Sequence, residues 1–238
     1  MAHFDTVVRT RRSVRQYLPT PVPRDVMAKV LDTAQHAPSN CNTQPWQTHI
    51  FSGDVKDAFS RLITAAYDAG VDTKDFSFAV DDYDDACQAR ARAQGAAYYQ
   101  ALGVAHDDAV GRQDGLRRNL SFFGAPHVAL LFAPAVGDNV RVGADIGMYA
   151  QTFLLSLAAN GLAGIPQTML GSYAEQARTL LGLPPVMKLL FGISFGYPDT
   201  DHPAAQYNIG RISHSQTVVH HCAVDSPRLG DFNKTIPT

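Results

Sequence analysis

The chain has 238 residues, 45% of them hydrophobic, and carries 20 Lys and Arg against 22 Asp and Glu. That is a globular composition, long enough for one large domain with its own core. The near-neutral balance argues against a general nucleic-acid binder, which needs a basic face.

The amino terminus, MAHFDTVVRT, lacks the apolar core of a signal peptide. Asp5 reads as the N-cap of a short first helix carrying Val7 and Val8. Arg9, Arg11, Arg12 and Arg15 then fall close together in VVRTRRSVRQY. Pro19, Pro21 and Pro23 force an extended connection. A helix is predicted from about Arg24 to His36, with Val26, Met27, Val30, Leu31 and Ala34 on its buried face. The segment 38–45, PSNCNTQP, is a polar loop closed by two prolines, and Gln47 to Ser52 reads as a strand. From 54 to 118 the pattern is helical, Ala-rich and charged, splitting into helices near 54–69, 82–103 and 106–112.

His127 to Ala133, between Pro126 and Pro134, reads as a buried strand. Residues 142–160 form the strongest helix. Gly143, Ala144, Gly147 and Ala150 on its adjacent turns leave room for another backbone, and Gly161 and Gly164 stop it. A strand near 165–169, a helix at 172–182 and a strand at 188–195 complete the core. Beyond Pro198 the chain is polar, and a tail without a core pattern either frays or lies along a partner subunit. Helices alternating with a few mainly antiparallel or mixed strands place the chain in the α+β class, as a single domain over 1–238. No stretch of about 18 apolar residues predicts a transmembrane helix. Three scattered cysteines (Cys41, Cys87, Cys222) without a Cys-x-x-Cys pair suit a reduced cytoplasm.

The arginine cluster admits two readings, a solvated helix end or a phosphate site. The guanidinium fork matches phosphate oxygens, and Ser13 adds a hydroxyl donor. Charge-assisted hydrogen bonds contribute about 1.5–3 kcal/mol each. Two or three supply about half of the roughly 12 kcal/mol that a nanomolar ligand needs. The remainder requires burial of an apolar or aromatic body, which points to a nucleotide-like cofactor. Gly192 to Gly196 lacks the G-x-G-x-x-G spacing, and neither a P-loop nor a G-x-S-x-G elbow is present. His220, His221, Cys222 and Asp225 are a poor metal set, because adjacent histidines on a strand point to opposite faces. Nothing beside Cys41 marks it as a thiolate. Trp46 reads as core. Phe122 and Phe123 lie between a charged helical region and a buried strand, where they pack inward or stack on a planar substrate. No spacing establishes a role for Asn119.

RRSVRQY, then PSNCNTQPW (38–46), FFGAPHVALLF (122–132), GLAGIPQTML (161–170) and LLFGISFGYPD…NIGR (189–211) occur in this order over nearly the whole chain. The ordered set resembles the FMN-dependent nitroreductase family. The resemblance implies a three-layer α-β-α sandwich built as an intertwined homodimer, with two FMN sites at the subunit interface. It further implies a variable helical lid over about 54–118, holding Tyr83, Tyr98 and Tyr99, and a C-terminal extension over about 212–238 lying on the partner. Arg11 and Ser13 match positions that grip the phosphate, and Arg15 matches the basic residue near flavin N1 and O2. Arg12 sits inside the motif without an assigned target. Pro38, Ser39, Asn40 and Asn42 match the loop that reaches the flavin from the second subunit, and Gln44 is implied to bond the pyrimidine end. Pro166 and Gln167 resemble the segment covering one flavin face, with Thr168 and Met169 offering backbone groups near N5 and O4. Arg211 matches a C-terminal phosphate arginine, and only His214 stands near the second basic position.

The implied activity is ping-pong hydride transfer through flavin N5, from NADH or NADPH to a planar, electron-poor aromatic such as a nitroaromatic or quinone. Such a protein needs little acid–base machinery of its own, so no catalytic side chain is assigned. Relatives using the same cofactor for reductive dehalogenation, flavin breakdown or ring dehydrogenation remain the alternative, as does a flavin-binding module without turnover. A nucleic-acid-binding arm is disfavoured by the neutral charge.

Overall fold

The protein is described by a computed structural model covering residues 3–221. The chain divides into two units, residues 1–207 and 208–238. The larger is built on a four-stranded antiparallel sheet, with strands β1 (Gln47–Ser52), β2 (His127–Pro134), β3 (Ala163–Gln167) and β4 (Met187–Gly196) in spatial order β1-β2-β4-β3. Helices α1 (Phe4–Thr10) and α2 (Arg24–Ala34) precede the sheet in sequence. Helices α3 (Gly53–Asp68), α4 (Asp85–Ala101) and α5 (Ala109–Arg117) fall between β1 and β2. Helix α6 (Val140–Ala159), α7 (Ala174–Leu181) and the short α8 (Pro203–Gln206) complete the unit.

β2 and β4 are the inner strands, and the alternation along β2 divides the core in two. Val128, Leu130 and Phe132 face one layer, where Phe59 and Ile63 of α3 and Ala174 and Ala177 of α7 pack. Ala129, Leu131 and Ala133 face the other, made by Val30 and Ala34 of α2 and Ile146, Tyr149, Phe153 and Leu157 of α6. This is the three-layer α-β-α arrangement. It explains the unbroken apolar run HVALLFA, since a strand covered on both faces has no polar side to show. Each fully buried Phe or Leu contributes about 1.5–3 kcal/mol.

Several boundaries move from their predicted places. The first helix starts at Phe4 behind His3, and Asp5 sits in its first turn, where the helix dipole favours it, rather than at the cap. Val7 is buried but Val8 is exposed. The third helix of the 54–118 segment runs over Ala109–Arg117, not 106–112, because the Asp108 carboxylate accepts the Gly111 N–H at 2.9 Å. Gly115 lies inside that helix because a Cβ there would come within 2.9 Å of the Tyr99 ring. α6 ends as expected at Gly161, at φ 74°, with Leu162 N–H on Leu157 C=O and Gly161 N–H on Ala158 C=O. Ala144 and Gly147 on the same helix are exposed.

In the smaller unit the described part ends at residue 221. It contains a single 3-10 turn at His214–Gln216, capped by Ser213. The rest of the extension expected over 212–238, with Cys222 and Asp225, lies outside the described residues. No helix among the described residues is long and apolar enough to cross a membrane.

Candidate functional site

After α1 the chain runs extended across the end of β4. Val14 and Tyr17, each 3% exposed, point into the core. Tyr17 bridges Pro198, its hydroxyl donates to Ser194 C=O at 3.2 Å, and Leu18 N–H donates to Tyr197 C=O at 2.9 Å. Burial holds the Tyr17 phenol far above its ordinary pKa, against the opposing pull of Arg15. With those two side chains fixed inward, Arg11, Arg12, Ser13 and Arg15 are left half-buried.

The Arg15 guanidinium is held within 5.2 Å of the Tyr98 ring centroid, 5.5 Å of Tyr207 and 6.0 Å of Phe123, and it donates to the Tyr207 hydroxyl. Burial raises the pKa of both tyrosines, with Arg15 opposing in each case, so both phenols stay protonated across the neutral range. Arg118 donates to Arg15 C=O at 2.8 Å and to the Gln16 side chain. Next to it, Asn119 accepts from Gln167 Nε2 through its C=O (3.0 Å) and Oδ1 (3.3 Å), and Ser194 Oγ donates to Gln167 Oε1. A continuous network thus joins the arginine segment to the end of β3.

This network brings together Arg15 and Gln167, predicted separately from sequence. The Gln167 side chain is buried and fully engaged, so Pro166 and Thr168 are the exposed surface of that segment, with Met169 half-buried. Thr168 and Met169 also border a cavity of about 240 Å³, with Lys74, Phe76, Phe78 and Leu116 on its other walls. Lys74 is already paired with Asp72 at 2.6 Å.

The loop 38–45 is held by the α2/α6 layer. Asn40 N–H donates at 2.9 Å to the carboxylate of Asp145, which is 3% exposed on α6. Gln44 N–H donates to Ser39 Oγ, and Gln44 Nε2 to Asn42 C=O. Cys41, Asn42 and Gln44 adopt φ of 50°, 57° and 46°, each a strained conformation for a residue with a Cβ. Pro38, Asn40, Asn42 and Gln44 are exposed and Ser39 is half-buried. Trp46 closes the loop as a core residue, stacked on Tyr149 at 4.9 Å with its N–H on Gln35. Arg211 lies in the C-terminal unit, where its guanidinium donates to the carbonyls of Ile209 and Gly210.

Phe122 and Phe123 require a correction. They are 0% and 2% exposed. Phe122 stacks on Phe59, and Phe123 meets Tyr98 edge to face. Both hold left-handed φ, at 57° and 55°. Their rings are filled on the protein side and offer no face to a substrate. Arg118 and Tyr207 were missed by the sequence reading. Neither belongs to a periodic pattern, and both act through partners about a hundred or more positions away.

Among the described residues, Arg12, Arg15 and Arg118 make no ion pair, and Arg12 Nε is buried without a partner. Half-buried guanidiniums without carboxylates fit an anionic ligand, and the adjoining exposed surface of Pro166 and Thr168 fits a planar one. Fold and donor set together define a protein built to hold a phosphorylated, planar group. Comparison with known proteins makes that class specific. The sequence model of the Nitroreductase family matches residues 8–197. The chain is 38% identical over 213 residues to the nitroreductase NfnB of Mycolicibacterium smegmatis, covering 90% of each chain. It is 36% identical to a 4-nitrobenzoate reductase of Nocardioides sp., over 85% of this chain and 83% of that one. It superposes on the crystal structure of the FMN-dependent NfnB from Mycobacterium smegmatis in complex with NADPH with a TM-score of 0.87, at 37% identity over 92% of this chain and 97% of that one. The chain belongs to the nitroreductase family.

Proposed function

We propose that this protein is an FMN-dependent NAD(P)H oxidoreductase that reduces planar, electron-poor aromatics such as nitroaromatics or quinones by ping-pong hydride transfer. The observation that carries this reading is that half-buried Arg12, Arg15 and Arg118 make no ion pair among the described residues, while Arg118, Asn119 and Gln167 tie the segment to the exposed edge of β3. FMN, when bound, supplies the N5 centre that takes and gives hydride, and reduction gathers negative charge at its N1–C2=O end.

The chain's own residues bind and orient. Arg11 and Ser13 grip the phosphate, with Arg12 offering its buried Nε nearby. Arg15 faces the N1–O2 end, where a fixed cation stabilises developing negative charge. Pro166 lines one face of the ring on a segment that Gln167 anchors through Asn119 and Ser194, and Thr168 and Met169 present backbone groups toward N5 and O4. The cavity of about 240 Å³ beside them accommodates part of the acceptor. Pro38, Ser39, Asn40 and Asn42 reach the flavin of a second subunit and Gln44 bonds the pyrimidine end of the ring, so the working form is a homodimer. The exposed Ala144 and Gly147 on α6 suit close approach of a partner backbone. Helices within 54–118 form the lid. NADPH in the complex of the similar NfnB supports a nicotinamide donor. The free cysteines Cys41 and Cys87 are compatible with a cytoplasmic protein.

The test starts with the visible spectrum. The purified protein should be yellow, and anaerobic NADH or NADPH should bleach it, with colour returning on addition of a nitroaromatic or quinone. Arg11→Ala should weaken FMN binding about 10- to 150-fold, the loss of one charge-assisted contact of about 1.5–3 kcal/mol. A colourless protein that FMN does not reconstitute refutes the proposal.

A further inference from the structure

Arg15 is restrained from three directions, although a long side chain on a half-buried extended segment would ordinarily be free to move. Its backbone carbonyl is gripped by Arg118 Nη2 at 2.8 Å, and Arg118 also binds the neighbouring Gln16 side chain. Its guanidinium sits among the rings of Tyr98, Tyr207 and Phe123 and donates to the Tyr207 oxygen. That oxygen also accepts Gln94 Nε2 at 3.4 Å. Tyr98 and Gln94 belong to α4, Phe123 to the turn before β2, and Tyr207 follows α8. Elements from four parts of the sequence therefore converge on one cation with no carboxylate among them. An ion pair would cancel the charge of Arg15. An aromatic box with a phenol acceptor fixes its position and leaves the charge in place.

We infer that Tyr207 and Arg118 are positioning residues for Arg15, a clamp that holds its charge where it favours the reduced form of the bound cofactor. This rests on the assignment of Arg15 to the flavin ring made above. The clamp acts on the difference between two redox states, so its signature is a potential, not an affinity common to both. Tyr98 contributes its ring alone, because its hydroxyl is used on Gly115 C=O at 3.1 Å.

The test measures the two-electron reduction potential of the FMN-reconstituted protein by anaerobic equilibration with a reference dye, together with the Kd for oxidised FMN. Arg15→Gln should lower the potential. Tyr207→Phe keeps the ring and removes only the acceptor. It should weaken reduced FMN about tenfold relative to oxidised FMN, which is a fall of about 30 mV for a two-electron couple. The double variant should fall no further than Arg15→Gln alone, because the clamp acts only through Arg15. Arg118→Met should move the potential in the same direction, and Tyr98→Phe should leave it unchanged. If Arg15→Gln lowers the potential and Tyr207→Phe does not, the clamp is overturned while the Arg15 assignment stands. If Arg15→Gln leaves the potential unchanged, both fall. Equal loss of affinity for both redox states, or failure of Tyr207→Phe to bind FMN at all, marks a structural role and also overturns the inference.

Discussion

Replacing Asp145 by Ala tests how the loop 38–45 is kept in its strained shape. Cys41, Asn42 and Gln44 at positive φ cost about 1 kcal/mol each at the low end, about 3 kcal/mol in all. Against this stand the Asn40 N–H bond to the Asp145 carboxylate, about 1.5–3 kcal/mol, and the two Gln44 bonds, about 1 kcal/mol each. The balance favours the observed loop by about 0.5–2 kcal/mol, so removal of the Asp145 contact reverses it. The bound shape then falls to a minor population, and apparent affinity falls in proportion to the competent fraction. Asp145→Ala should therefore weaken FMN binding about three- to tenfold, read by quenching of flavin fluorescence on titration. Asp145→Asn keeps an oxygen acceptor at the same place and should recover most of that loss. Wild-type affinity in Asp145→Ala, or equal losses in the Ala and Asn variants, would refute this account.

Two further predictions concern stability. Asp75, buried with Arg178, also accepts from Lys188 and from Leu189 N–H, and so ties the chain after α3 to α7 and β4. Asp75→Ala leaves a guanidinium only 8% exposed without that partner and should cost about 3–5 kcal/mol in urea unfolding. Glu175→Ala, at the exposed end of the same network, should cost under about 1 kcal/mol. His127 accepts Val22 N–H at Nε2 and faces Ser52 through Nδ1, and burial, then Lys56, lowers its pKa. Its folded form resists a proton that the unfolded chain accepts below about pH 6.5. Its contribution is therefore complete above that pH and is lost as pH falls toward the depressed folded value. His49, lowered by burial, adds with the same sign. Urea midpoints from pH 7.5 to 5 should drop for the wild type and drop less in His127→Gln, and parallel profiles would remove His127 as the cause.

Much of the fold was legible because its signals are local. β1 is observed over the predicted 47–52, since the proline-closed loop before it is a cue that acts within a few positions. The buried strand at 127–133 was visible as an apolar run, and the stop of α6 as a glycine able to take positive φ. The segment 54–118 was less legible. The third helix there depended on one Asp side chain capping one N–H, a cue easily outweighed by the surrounding alanines and charges. Phe122 and Phe123 were ambiguous because an aromatic pair beside a strand looks alike whether it faces ligand or core. Packing against Phe59 and Tyr98 decided it.

The arginine cluster shows the same division. Its chemistry, several guanidiniums and a serine suited to phosphate, is a property of residue type and spacing, and the chain alone displays it. Which arginine is held, and by what, depends on contacts spanning 103 positions to Arg118 and 192 to Tyr207. No local pattern encodes such pairs, because their proximity arises only when the sheet order β1-β2-β4-β3 draws the ends of β3 and β4 beside the segment that follows α1. The sequence by itself determined the layers, the family pattern and the kind of ligand. The tertiary structure decided that Arg15 is boxed and clamped, that Gln167 is spent on Ser194 and Asn119, and that the two phenylalanines belong to the core.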